Sequence, residues 1–122
     1  MVGLGTEVKA YARPFRRELL DLVDDPNTWL HIHLDWHSVE EWIGQPETPV
    51  YLALRAQRVV GAIAATPPVG GATWLRMLAL RTLIPSDEAA LDIFAALWRA
   101  LRLRLIGLGC HELAALALDD WL

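Results

Sequence analysis

One pattern constrains the chain more than any other. Residues 72–82, "ATWLRMLALRT", read as a strand. A short loop follows, then a long amphipathic run, and then "ELAALAL" at 112–118, apolar after Glu112 as a buried strand is. In the run, Leu91, Phe94, Leu97, Trp98, Leu101 and Leu105 recur every three or four residues, the spacing of one helix face. Ser86 suits the N-cap, and Asp87 and Glu88 fall in the first turn, where the helix dipole favours acids. Gly107 and Gly109 stop the helix. Strand, helix and strand form a βαβ unit, so the two strands are expected to be parallel, with a right-handed crossover.

The remaining elements fit around that unit. "PFRRELLDLVD" (14–24) predicts a helix with Pro14 in its first turn and Phe15, Leu19, Leu22 and Val23 on one face. "WLHIHL" (29–34) alternates as a strand does, with Leu30, Ile32 and Leu34 opposite His31 and His33. Ser38 and Glu41 have the spacing of a capping box for a short helix that Gly44 and Pro46 end. "VYLALRA" (50–56) and "RVVGAIAAT" (58–66) are strands joined tightly at Gln57. Pro67, Pro68, Gly70 and Gly71 turn the second into the strand at 72–82, giving an antiparallel meander. No repeat or linker divides the 122 residues, which form one domain over 1–122.

Composition narrows the function classes. Hydrophobic residues make up 54% of the chain, which argues against disorder. A formal charge of −4 argues against nucleic acid, whose phosphates select basic stripes. No apolar run reaches the roughly 18 residues that span a bilayer, and Glu7, Lys9 and Arg13 interrupt any leader pattern, so a cytoplasmic protein without a membrane partner is expected. The single Cys110 excludes an intrachain disulfide and reads as a small core residue. His31, His33, Asp35 and His37 lie close together, but a strand-to-helix change separates the last two from the first two. A partly exposed strand face explains them, and no metal is expected. Trp98 reads as core. Trp29, Trp36 and Trp42 read as core or as the wall of a cleft.

The order of helices, meander, long helix and parallel strand resembles the GNAT superfamily of acyl-CoA-dependent N-acetyltransferases over roughly residues 12–119. "VYLALRAQRVVGAIAAT" is similar to that family's second and third strands and "MLALRT" to its fourth. The resemblance implies an α/β fold with a mixed sheet and acetyl transfer from acetyl-CoA to a small amine or a protein N-terminus. Pantetheine would bond to the backbone of Leu78, Ala79 and Leu80, and the pyrophosphate would sit on Ser86, Asp87, Glu88, Ala89 and Ala90 at the helix start. The amine would attack the thioester directly; Glu40, Glu41 and Asp119 are candidates for the base.

Two departures from the family pattern stand out. Its Arg/Gln-x-x-Gly-x-Gly/Ala loop falls here on Pro85, Glu88 and Ala90, of which Ala90 alone conforms. Pro85 has no N–H to donate, and the charges of Asp87 and Glu88 oppose a diphosphate. The cofactor loop is therefore degenerate. The family also continues past its fifth strand, whereas this sequence stops at Leu122. That leaves an open apolar edge which a second copy, or further natural sequence, is expected to cover. The alternative reading is a non-catalytic GNAT-like domain for protein interaction or dimerisation.

Overall fold

The computed structural model describes residues 5–32, 37–81 and 87–114. Nine elements follow in order: β1 (Glu7–Ala10), α1 (Arg16–Asp24), β2 (Thr28–Ile32), α2 (Val39–Trp42), β3 (Val50–Arg55), β4 (Arg58–Ala65), β5 (Ala72–Arg81), α3 (Asp87–Gly107) and β6 (Glu112–Ala114). A 3-10 turn at Arg13–Phe15 leads into α1, with Pro14 inside it. The strands form one mixed six-stranded sheet, ordered β1-β3-β4-β5-β2, with β6 also on β5. The meander β3-β4-β5 is antiparallel, and β6 runs parallel to β5.

The sheet is coated on both faces. Beneath α1 and α2, Leu19, Leu22, Trp42 and Ile43 pack on Leu52, Leu54, Val59 and Met77. Beneath α3, Ile93, Leu97, Leu101 and Leu105 pack on Ala53, Ile63, Leu75 and Leu78. The alternation along β3 and β4 sends successive residues to opposite cores, which is why both strands are apolar almost throughout.

Several local expectations hold for reasons of chain chemistry. The capping box forms: the Ser38 amide donates to the Glu41 carboxylate at 3.1 Å. Helix α3 ends in a Schellman motif, in which Cys110 N–H bonds the Leu105 carbonyl and Gly109 N–H bonds that of Ile106. Gly109 sits at φ +79°, where a side chain would be strained. Cys110 and Leu105, the residues flanking that motif, share the α3 core.

Three expectations are corrected. Leu91 is not a core residue: it is 66% exposed, and Ile93 fills that place with no exposure. The buried stripe of α3 is 93, 97, 101 and 105, and Leu91 lies roughly 200° from Ile93 around the helix. In β2 it is His31 that is buried, whereas Leu30 and Ile32 are exposed. Residues 7–10, read as no element, form β1, paired antiparallel with β3 from Glu7–Leu54 to Ala10–Tyr51. The last strand is seen over Glu112–Ala114; residues 115–118 of the expected strand lie outside the described residues.

The β3–β4 connection carries a local cost. Ala56 and Gln57 have φ of 49° and 64°, as both central residues of a type I′ hairpin turn must, yet neither is Gly or Asn. Replacing them together, Ala56→Asn with Gln57→Gly, is expected to stabilise the chain by about 0.5–1 kcal/mol through relief of that left-handed strain. A rise of a few degrees in the thermal midpoint, at unchanged secondary-structure signal, is the outcome to look for.

Candidate functional site

Strand β5 is the axis of the site, and its register divides it in two. Between Ala64 and Ala65 of β4, the partner on β5 steps from Met77 to Leu75, leaving Arg76 as an extra, bulged residue. Such a bulge bends a strand and sharpens its twist. Below it, Ala72, Thr73 and Trp74 pair in parallel with β6. Above it, on the edge away from β4, residues Met77–Arg81 pair antiparallel with β2, from Ile32–Met77 to Thr28–Arg81.

The bulge residue is itself buried. Arg76 is 7% exposed, its guanidinium lies 4.8 Å from the ring centroid of Trp42, and it donates to Thr48 Oγ1 at 3.4 Å. Trp42 therefore belongs to the core and serves as the platform for this cation. At the far end of β5, Arg81 reaches Asp25 at 3.5 Å and the Val59 carbonyl at 3.4 Å. Glu18 accepts from the Val59 amide at 2.7 Å, tying α1 to the same corner of the sheet.

Leu78, Ala79 and Leu80, assigned to pantetheine by the family resemblance, sit in the upper half of β5. Each is paired on both sides: with Ile63, Ala62 and Gly61 of β4, and with His31, Leu30 and Trp29 of β2. Glu88 is exposed in the first turn of α3, whose helix begins at Asp87, and Ala89 and Ala90 are half-buried there. Ser86 and Pro85 lie outside the described residues. The helix start lies toward the Leu80 end of β5, because Ile93 and Leu97 pack over Gly61, the partner of Leu80.

The other candidates are scattered. His31 is buried opposite Leu78, while His37 contacts Glu41 at 3.0 Å; His33 and Asp35 lie outside the described residues. Among the described residues no group of three metal-ligating side chains converges. Glu41 is held below the usual carboxylate range by the Ser38 amide first and by His37 second, and its role is that of a helix cap. Glu40 is exposed beside it, and Asp119 lies outside the described residues. Trp29 is 38% exposed on β2, and Trp36 lies outside the described residues.

Sequence reasoning missed one cavity. About 340 Å³ opens at the opposite end of the sheet, lined by Tyr11, Gln45, Thr48, Tyr51 and Arg104 among others. Its residues come from the end of β1, the segment between α2 and β3, the start of β3 and the last turn of α3, so no local motif announces it.

No family model and no curated protein matches the chain. Solved structures do. An aminoglycoside acetyltransferase from an uncultured soil metagenomic sample, in complex with trehalose, matches with a TM-score of 0.66 at 16% identity, over 95% of this chain and 81% of that one. The aminoglycoside N-acetyltransferase AAC(6')-Iy in complex with CoA matches with a TM-score of 0.63 at 14% identity, over 98% and 81%. A GNAT family acetyltransferase of Staphylococcus aureus matches with a TM-score of 0.64 at 8% identity, over 95% and 89%. The chain has the GNAT fold.

Proposed function

We propose that this chain is an N-acetyltransferase of the GNAT type, carrying acetyl from acetyl-CoA to an amine acceptor, a small molecule or a protein N-terminus, in the cytoplasm. The observation that carries the reading is the division of β5 at Arg76. Among the described residues the strand pairs in parallel with β6 over Ala72–Trp74 and offers its upper half to a different neighbour. With α3 starting beside that upper half, backbone groups of an edge and of a helix N-terminus come together, a combination suited to an extended, anionic cofactor. Similarity to aminoglycoside acetyltransferases supports an amine acceptor.

The described conformation does not fit a pantetheine arm. Both sides of Leu78–Leu80 are already paired, and the exposed Glu88 carboxylate stands at the helix start. The reading therefore applies to a state in which that edge is free.

Titration calorimetry of the whole chain with acetyl-CoA tests it. Micromolar to submillimolar affinity is expected, and Glu88→Gly is expected to tighten it about fivefold, the equivalent of about 1 kcal/mol for one like-charge contact. A chain that gives no heat with millimolar acetyl-CoA, in either form and with the β5 edge freed, is not an acetyltransferase.

The paired edge also favours a second reading, a non-catalytic domain that docks a protein or a second copy. Trp29, Leu30 and Ile32 expose apolar surface on the outermost strand. Concentration-dependent sedimentation without acetyl-CoA binding is the result that selects it.

A further inference from the structure

We infer that β2 is a latch on the cofactor edge: it holds the upper half of β5 in the ligand's place and must leave before acetyl-CoA binds. The inference rests on the transferase reading above and assigns that site its regulation.

The competition follows from backbone chemistry. Every N–H and C=O on one edge of a strand pairs once, with one neighbour. A pantetheine arm is an extended chain with two amides, and it can pair with β5 only through the groups that β2 uses between Met77 and Arg81. Among the described residues β6 pairs on that edge with Ala72–Trp74 alone, so these residues leave Met77–Arg81 to a ligand, whereas β2 does not.

The construction of β2 suits it to leave. Among the described residues its outer edge has no strand partner. Trp29, Leu30 and Ile32 are 38%, 37% and 42% exposed, while the central strands β3 and β4 are nearly all buried. Thr28 Oγ1 is buried and makes no hydrogen bond among the described residues. The ladder to β5, the burial of His31 opposite Leu78 and the Asp25 contacts at its entry are among the interactions that hold the strand. An edge strand with more exposed apolar surface than β3 and β4 lies below them in local stability.

The hinge is visible too. At the entry to β2, Asp25 accepts from the Asn27 amide at 2.9 Å through its carboxylate and from the Thr28 amide at 3.0 Å through its carbonyl. The same carboxylate meets Arg81 at 3.5 Å. Asp25 thus anchors one end of β2 to the end of β5, and in the proposed release this end serves as the hinge.

If the open form is a fraction f of the molecules, the measured dissociation constant is the intrinsic one divided by f. Opening the latch therefore tightens binding, and locking it abolishes binding. Two variants of the whole chain read these opposite effects in acetyl-CoA calorimetry. In Trp29→Pro/Leu30→Pro, neighbouring residues point their N–H groups to opposite edges, so one proline removes a donor facing β5. Leu30→Cys/Ala79→Cys places cysteines directly across the ladder, where Cα atoms of paired residues stand about 4.5–5.5 Å apart, within reach of a disulfide. Cys110 is replaced by Ala in that background.

The proline variant is expected to bind acetyl-CoA at least tenfold more tightly than the parent, with faster amide exchange at Leu78–Arg81. The oxidised staple is expected to show no binding at concentrations that saturate its reduced form. Equal binding by the oxidised and reduced staple overturns the latch and leaves the transferase reading standing. Silence in every form, with β5 amides exchanging freely in the proline variant, overturns the transferase reading and the latch with it. Should the proline variant fail to fold by circular dichroism, the staple decides alone, since its two forms share one sequence.

Discussion

Leu97→Ala is expected to remove about 2–5 kcal/mol of stability, the cost of a buried leucine truncated where its surroundings cannot collapse. Leu97 has no exposed surface and sits at the centre of the α3 core, between Ile93 and Leu101 on the same stripe. Beneath it the sheet is close, with Gly61 offering no side chain to move into the gap. A domain of this size is held by about 5–15 kcal/mol in all, so the loss is a large share of it. Denaturant unfolding should show the midpoint falling with its slope unchanged. A midpoint within experimental scatter of the parent would mean that α3 does not carry this core.

The second large effect lies on the other side of the same contact. A Cβ built on Gly61 would stand 3.0 Å from Ile93 Cγ2, 3.2 Å from the Ala79 carbonyl oxygen and 3.3 Å from Leu97 Cδ1. The side chains can shift, but the carbonyl belongs to the β5 backbone and cannot. Gly61→Val is therefore expected to lift α3 from the sheet and to cost about 1–3 kcal/mol or more. Combined with Leu97→Ala, the valine methyls gain the vacated space. The double variant should be less destabilised than the two singles together, by about 0.5–3 kcal/mol of coupling. Strict additivity in that cycle would show that the two residues are not in contact.

Much of this architecture was legible in the sequence because it is local. Pro67, Pro68, Gly70 and Gly71 announce the turn between β4 and β5 whatever the rest of the chain does. The Ser38–Glu41 box and the Gly109 cap are likewise written within a few residues of the helices that they bound. The phase of α3 was harder. With Leu91, Ile93, Phe94, Leu97 and Leu103 all apolar, more than one face satisfies a helical spacing, and Leu103 and Leu91 prove to be exposed. Only the sheet, through Gly61, selects the stripe that is buried.

The rest of the candidate site was illegible because it is made by distant pairing. "EVKA" is short and mostly exposed, and it becomes a strand only because β3 lies beside it. The alternation of "WLHIHL" suggested an inward leucine face. Which face is inward depends instead on β5, where His31 falls opposite the buried Leu78. The Arg76 bulge has no signature in "WLRMLAL"; it appears when β4 is laid alongside. The sequence did carry the acidic helix start at Asp87 and Glu88, whose charges are expected to oppose a diphosphate placed there.

The sheet register also orders events in time. The β3–β4 and β4–β5 pairs are joined by short turns, so they close small loops and form early. Strand β2 is synthesised before all three, yet its partner is the last of them, with Thr28 set against Arg81. It must wait through the whole meander, and its ladder closes the long loop that contains it. On this ordering the upper edge of β5 is expected to be bare until β2 arrives, so that β2 and a ligand compete for it by rate as well as by affinity.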